Sequence, residues 1–105
     1  MLLVETLLFT RRVGELLSEE EYRQLQLELA SRPKSGDVIP GTGGVRKLRW
    51  GRGGKGKRGG VRVFYLHRER EGRILLLNMI DKTRRGDLPA AELRKLRAAM
   101  EEELG

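Results

Sequence analysis

Beyond the turn residues Glu69 to Gly72, the chain runs Ile-Leu-Leu-Leu-Asn-Met-Ile from Ile74 to Ile80. A continuous apolar run of this length reads as a strand at the centre of a sheet, and it constrains the fold more than any other segment. The segment before it supports the same architecture. Val61, Val63, Tyr65 and His67 alternate with Arg62, Phe64 and Leu66, and Val45 to Trp50 mixes apolar and basic residues with Leu48 and Trp50 in phase and Val45 out of it. Three successive strands with tight connections predict an antiparallel meander.

The flanks read as helices. Ser18 and Glu21 form a capping box, in which hydroxyl and carboxylate satisfy the first helical amides, and Tyr22, Leu25 and Leu29 then share one face of a helix over about Glu19 to Ser31. Phe9, Val13, Leu16 and Leu17 predict a preceding helix folded against it as a hairpin, and Pro33 closes the pair. A short strand over about Leu2 to Leu7 opens the chain. Gly36 to Gly44, GDVIPGTGG, is turn chemistry. Asp87 and Pro89 suit a helix start, and Leu93, Leu96, Met100 and Leu104 fall on one face of the helix that follows. The 105 residues are the size of one small domain, 1–105. The expected class is α+β in two layers: an N-terminal strand, a helical hairpin, a three-stranded antiparallel meander and a C-terminal helix, with the helices on one face of the sheet.

Charge is distributed unevenly. Residues 34–62 hold nine Lys or Arg against one acid, Asp37, whereas the remainder holds 13 basic and 14 acidic residues. The whole net charge of +7 therefore arises in the middle third, which also holds nine of the 14 glycines between Gly41 and Gly60. A basic excess of this size adds self-repulsion to the folded state, so it points to a polyanionic partner, nucleic acid first. The absence of cysteine excludes disulfides, thiolate chemistry and Cys-ligated zinc, and the single His67 argues against a histidine metal site or a His-pair ribonuclease. No metal or other cofactor is expected. The apolar stretch in MLLVETLLFTRR is too short to span a membrane and its charges follow it, which predicts a cytoplasmic, soluble protein without membrane contact.

Gly51 to Lys57, GRGGKGK, matches the spacing of a phosphate-binding loop, and Gly51, Gly53 and Gly56 match a dinucleotide fingerprint. Both matches fail on context. Arg58 stands where magnesium binding needs Ser or Thr, and a strand follows where both motifs need a helix. The loop reads instead as a cationic arm in which Lys55, Lys57 and Arg58 converge on a phosphodiester, continued by Arg46, Lys47 and Arg49 on one strand, Arg52 in the loop and Arg62 on the next strand. With five aromatic residues in a hundred, base stacking has little material; Trp50, Phe64 and Tyr65 are the nearby ones and are expected in the core. His67 reads as structural, and Asp37, Asp81 and Asp87 as turn or cap residues. No helix carries the basic stripe that reading a DNA major groove requires.

Four blocks in order, LSEEEYRQLQLEL (17–29), P-x-x-GDVIPGTGGVRKLRW (33–50), GKGKRGGVR (54–62) and KTRRGDL (82–88), resemble the RelE-like HigB toxins of bacterial type II toxin-antitoxin pairs, within the RelE/ParE superfamily. The resemblance runs from about Val4 to Met100. It implies a ribosome-dependent endoribonuclease that cuts mRNA in the ribosomal A site and inhibits translation. It also implies a cognate helix-turn-helix antitoxin, with operator DNA bound only through the toxin-antitoxin complex. By matching blocks, the family's basic active-site residues carry over to Lys55, Lys57, Arg58 and Arg62, with Lys82 in the strand-end position of the pattern Y-x-K-N-E-x-x-D-L.

On that resemblance, Arg58 and Arg62 would serve the scissile phosphate, a lysine of lowered pKa would activate the ribose 2′-hydroxyl, and the product would be a 2′,3′-cyclic phosphate made without metal. The last block departs from the pattern: Ile80 stands where the family usually has Tyr, Asp81 where a small residue is common, and Thr83 and Arg84 where Asn and Glu are usual. Two expectations therefore stand, a nuclease or a non-catalytic basic module that binds RNA or the ribosome.

Overall fold

A computed structural model describes residues 1–51, 60–81 and 86–104. The elements in chain order are β1 (Leu2–Glu5), α1 (Leu7–Leu16), α2 (Glu19–Ser31), β2 (Asp37–Val38), β3 (Arg46–Trp50), β4 (Val61–Arg68), β5 (Arg73–Asp81) and α3 (Ala90–Leu104), with one 3-10 turn at Glu69–Glu71 between β4 and β5. The five strands form one sheet in the order β1-β5-β4-β3-β2. The expected antiparallel meander is β3-β4-β5. β1 lies parallel to β5 and makes the sheet mixed. β2 pairs antiparallel with β3 inside the stretch that reads as turn from sequence.

Local chemistry sets the ends of the hairpin helices. The Thr6 hydroxyl accepts from Phe9 N at 2.9 Å to start α1 and donates to Leu77 O at 2.7 Å, so one side chain both caps the helix and fastens it to β5. The capping box of α2 forms as the sequence predicts, with Glu21 N donating to Ser18 Oγ at 3.1 Å and Ser18 N donating to a Glu21 carboxylate oxygen at 2.8 Å. Tyr22 extends from α2 and donates its hydroxyl to Glu5 at the end of β1.

The helices occupy both faces of the sheet, which corrects the expected two-layer arrangement. Phe9, Val13, Leu25 and Leu29 of α1 and α2 bury against Leu48, Val63, Tyr65, Ile74 and Leu76 on one face. Leu93 and Met100 of α3 bury against Val45, Phe64, Leu66, Leu75 and Leu77 on the other. The reason lies in β4 and β5, which carry apolar side chains on both faces; a single helical layer would leave one set in water. Leu104, the last residue of the apolar α3 stripe, is exposed.

A register shift in the β4–β5 ladder decides what faces α3. Tyr65 pairs with Leu76 but Phe64 with Asn78, so Leu77 is an extra residue. The bulge is held by the buried Asn78 side chain, whose Oδ1 accepts from Met79 N at 2.7 Å. It returns Asn78 and Ile80 to the face of Phe64 and Arg62, while Met79 joins the α1–α2 core.

Candidate nucleic-acid interface

β3 and β4 present three cations on the α3 face. Arg49 is the direct cross-strand partner of Arg62, and Lys47 that of Phe64 two residues along, so Lys47, Arg49 and Arg62 follow the same alternation as Phe64. Like charges directly opposite on a ladder cost roughly 0.2–1 kcal/mol. A sheet end that keeps Arg49 facing Arg62 therefore departs from local stability rules, and such departures concentrate where a surface has work to do.

An acid on the approach to α3 partly offsets the repulsion. One oxygen of Asp87 lies 2.7 Å from Lys47 Nζ and the other 3.0 Å from Arg62 Nε, so a single carboxylate bridges cations from two strands. The three side chains differ in exposure: Arg62 keeps 13% of its surface, Lys47 23% and Asp87 47%. Leu88, buried beside Phe64 and Leu93 in the α3 core, fixes the backbone next to Asp87. The Pro89 carbonyl accepts from Glu92 N at 3.0 Å and begins the helix. From sequence Asp87 reads as a helix-start residue; its ion pairs depend on strand partners 25 and 40 positions away, which no local pattern reveals.

The same end of the sheet is where both remaining basic blocks attach. Trp50 pairs with Val61, and Val61 pairs with Asp81, so the ends of β3 and β5 flank the start of β4. Residues 52–59 therefore join the described chain between Gly51 and Gly60, and residues 82–85 between Asp81 and Gly86, all beside Arg62. Gly60 makes the first junction possible: a Cβ there would stand 1.9 Å from the Trp50 carbonyl oxygen. Arg52, Lys55, Lys57, Arg58 and Lys82, the other expected site residues, lie outside the described residues.

Arg46 belongs elsewhere. It pairs with Tyr65 on the α1–α2 side, and its guanidinium donates to Gly36 O at 2.7 Å and Lys34 O at 3.4 Å. Tyr65 completes that clamp, accepting from Gly36 N at 2.9 Å and donating to Pro33 O at 2.8 Å. Thr42, fully buried, donates to Ile39 O at 2.6 Å and accepts from Val45 N at 3.1 Å. The GTGG block thus shapes the loop that leads into β3 and rests on α3, where Arg94 donates to Gly41 O at 2.7 Å. His67 lies toward the far end of β4, paired with Ile74 and away from the cationic cluster.

The site as described can bind and polarise a phosphodiester through Lys47, Arg49 and Arg62. Ile80, paired with Arg62, is buried against α3 and supplies no group that can exchange a proton. Among the described residues, no helix is long and apolar enough to cross a membrane, and no three His, Cys, Asp or Glu side chains cluster to hold a metal ion. Searched against models of known protein families, the sequence matches none.

Proposed function

We propose that this protein is the toxin of a type II toxin-antitoxin pair, a ribosome-dependent endoribonuclease that cuts mRNA in the A site. The observation that carries the reading is the cross-strand pairing of Arg49 with Arg62 beside Lys47, at the sheet end to which residues 52–59 and 82–85 attach. A polyanion relieves the repulsion that this arrangement builds in, and a ribose-phosphate backbone is the polyanion whose spacing suits a row of such cations. The resemblance of the four sequence blocks to RelE-like HigB toxins supplies the rest: the ribosome and message as partners, a helix-turn-helix antitoxin, and roles for Lys55, Lys57, Arg58 and Lys82.

In this mechanism Arg62 and Arg58 hold the scissile phosphate and stabilise the charge that grows on it, each fixed donor contributing about 3–4 kcal/mol. A lysine among clustered cations takes the 2′-hydroxyl proton, because neighbouring positive charge lowers its pKa. Attack of the 2′-oxygen on phosphorus then expels the 5′-oxygen and leaves a 2′,3′-cyclic phosphate. The test is a translating message in a reconstituted system, with and without ribosomes, followed by analysis of the new ends. Cuts confined to the ribosome-bound message and bearing cyclic phosphate are expected; cuts in naked RNA with 3′-hydroxyl ends would overturn the mechanism.

One observation favours a second reading. Ile80 is buried and apolar at the position beside Arg62 where the resembled family usually carries Tyr. A protein that occupies the ribosome or RNA without cutting fits that substitution, and it is recognised by arrested translation of intact message.

A further inference from the structure

The most exposed member of the cationic cluster is an acid. Asp87 commits both carboxylate oxygens, one to Lys47 and one to Arg62, and it stands nearer the solvent than either cation. A phosphate arriving from solution therefore meets the carboxylate before it meets Arg62. The two oxygens take positions that two phosphate oxygens would take, since both are anionic acceptors at hydrogen-bond distance from an ammonium and a guanidinium.

The backbone around Asp87 permits an exchange. Leu88 is buried and fixes the chain on one side, whereas Gly86 on the other side lies in open space, with nothing within 4 Å of where a Cβ would stand. Turning the Asp87 side chain outward disturbs no core contact.

We propose that Asp87 is the resident occupant of an anion seat formed by Lys47 and Arg62, and that an RNA phosphate binds there by displacing it. This selectivity role rests on the nucleic-acid reading of the site. The carboxylate lowers the affinity of the seat for an isolated anion, and a ligand that also engages neighbouring cations, such as Arg49, outcompetes it. Asp87 thereby raises the threshold between stray polyanions and an RNA strand held in register over the sheet end.

The seat can be tested without any cleavage assay. Binding of a short fluorescent single-stranded RNA is followed by anisotropy over a salt series for the parent and Asp87→Asn. Freeing one or two cations for phosphate contact steepens the slope of log K against log salt by about 0.7–1.4 and tightens binding several-fold at low salt. In a Lys47→Met, Arg62→Met background the same Asp87→Asn change has no effect. Thermal melts verify that each variant folds; if the double background unfolds, Lys47→Met alone is used and reduces the effect of Asp87→Asn. Parent binding that Asp87→Asn leaves unchanged or weakens overturns the displaced-carboxylate role and leaves the nucleic-acid reading standing. Failure of both proteins to bind RNA overturns that reading and this inference with it.

Discussion

Replacing Tyr65 by Phe removes one oxygen from the centre of the molecule and tests how the β2 edge is held. The hydroxyl is buried, accepts from Gly36 N at 2.9 Å and donates to Pro33 O at 2.8 Å, so its loss leaves a buried amide without an acceptor and a carbonyl without a donor. An unsatisfied buried polar group costs about 1–3 kcal/mol, and the Pro33 carbonyl is only partly buried and recovers some solvation, so the expected loss is about 2–3 kcal/mol. For a domain of this size that corresponds to a fall in Tm of about 8–15 °C. Arg46 holds the same segment through Gly36 O, so Tyr65→Phe and Arg46→Met are expected to combine non-additively. The assay is thermal and urea unfolding of the two single variants and the double. A Tyr65→Phe melt within about 3 °C of the parent would refute the reasoning, because it would mean that the two backbone groups find other partners at no cost.

Gly43 has φ +76° and an added Cβ would stand 3.0 Å from Arg97 Cζ, so Gly43→Ala is expected to lose about 1–2 kcal/mol in urea unfolding; an unchanged midpoint would show that the loop before β3 relaxes freely. Burial, and then the adjoining Glu5 carboxylate, hold the Tyr22 phenol far above its ordinary value of 10.0. Its folded pKa is raised, so the corresponding stability is complete below the ordinary tyrosine value and is lost as pH rises above it. Alkaline unfolding should therefore release a phenolate signal that Tyr22→Phe abolishes, and phenolate absorbance tracking free tyrosine in the parent would contradict this. Arg68 holds the exposed Glu71 carboxyl below its usual range, which is stabilising above the unfolded carboxylate pKa and fades in acid; Glu71→Gln should flatten the acid limb of a Tm–pH curve. Lys55→Ala is expected to make ribosome binding less steeply salt-dependent, and an unaltered slope would remove Lys55 from the phosphate contacts.

Much of the architecture is legible in local pattern. The Ser18–Glu21 box, the alternation of Val61, Val63 and Tyr65 against Phe64 and Leu66, and the apolar run in β5 each depend on neighbours in sequence, and each appears where the pattern puts it. Covering both faces of the sheet was implicit in the same residues, since Phe64 and Leu66 need burial as much as Val63 and Tyr65 do. What local pattern does not carry is pairing over distance. The parallel addition of β1 to β5, the Leu77 bulge and the Asp87 bridge all join segments far apart in the chain. The candidate site divides the same way: a basic middle third is visible in the residue counts, but only the strand register sends Lys47, Arg49 and Arg62 to one face and Arg46 to the other.

The central claim is that the cations at this sheet end act on RNA during translation. Primer extension on a message in a reconstituted translation system, comparing the parent with Arg62→Ala, tests it most directly. The account predicts ribosome-dependent cuts by the parent and a loss of about a hundredfold or more in the variant, the scale of removing one fixed donor from a developing oxyanion. Equal cleavage by the two proteins, with Arg62→Ala folded by its thermal melt, would contradict it.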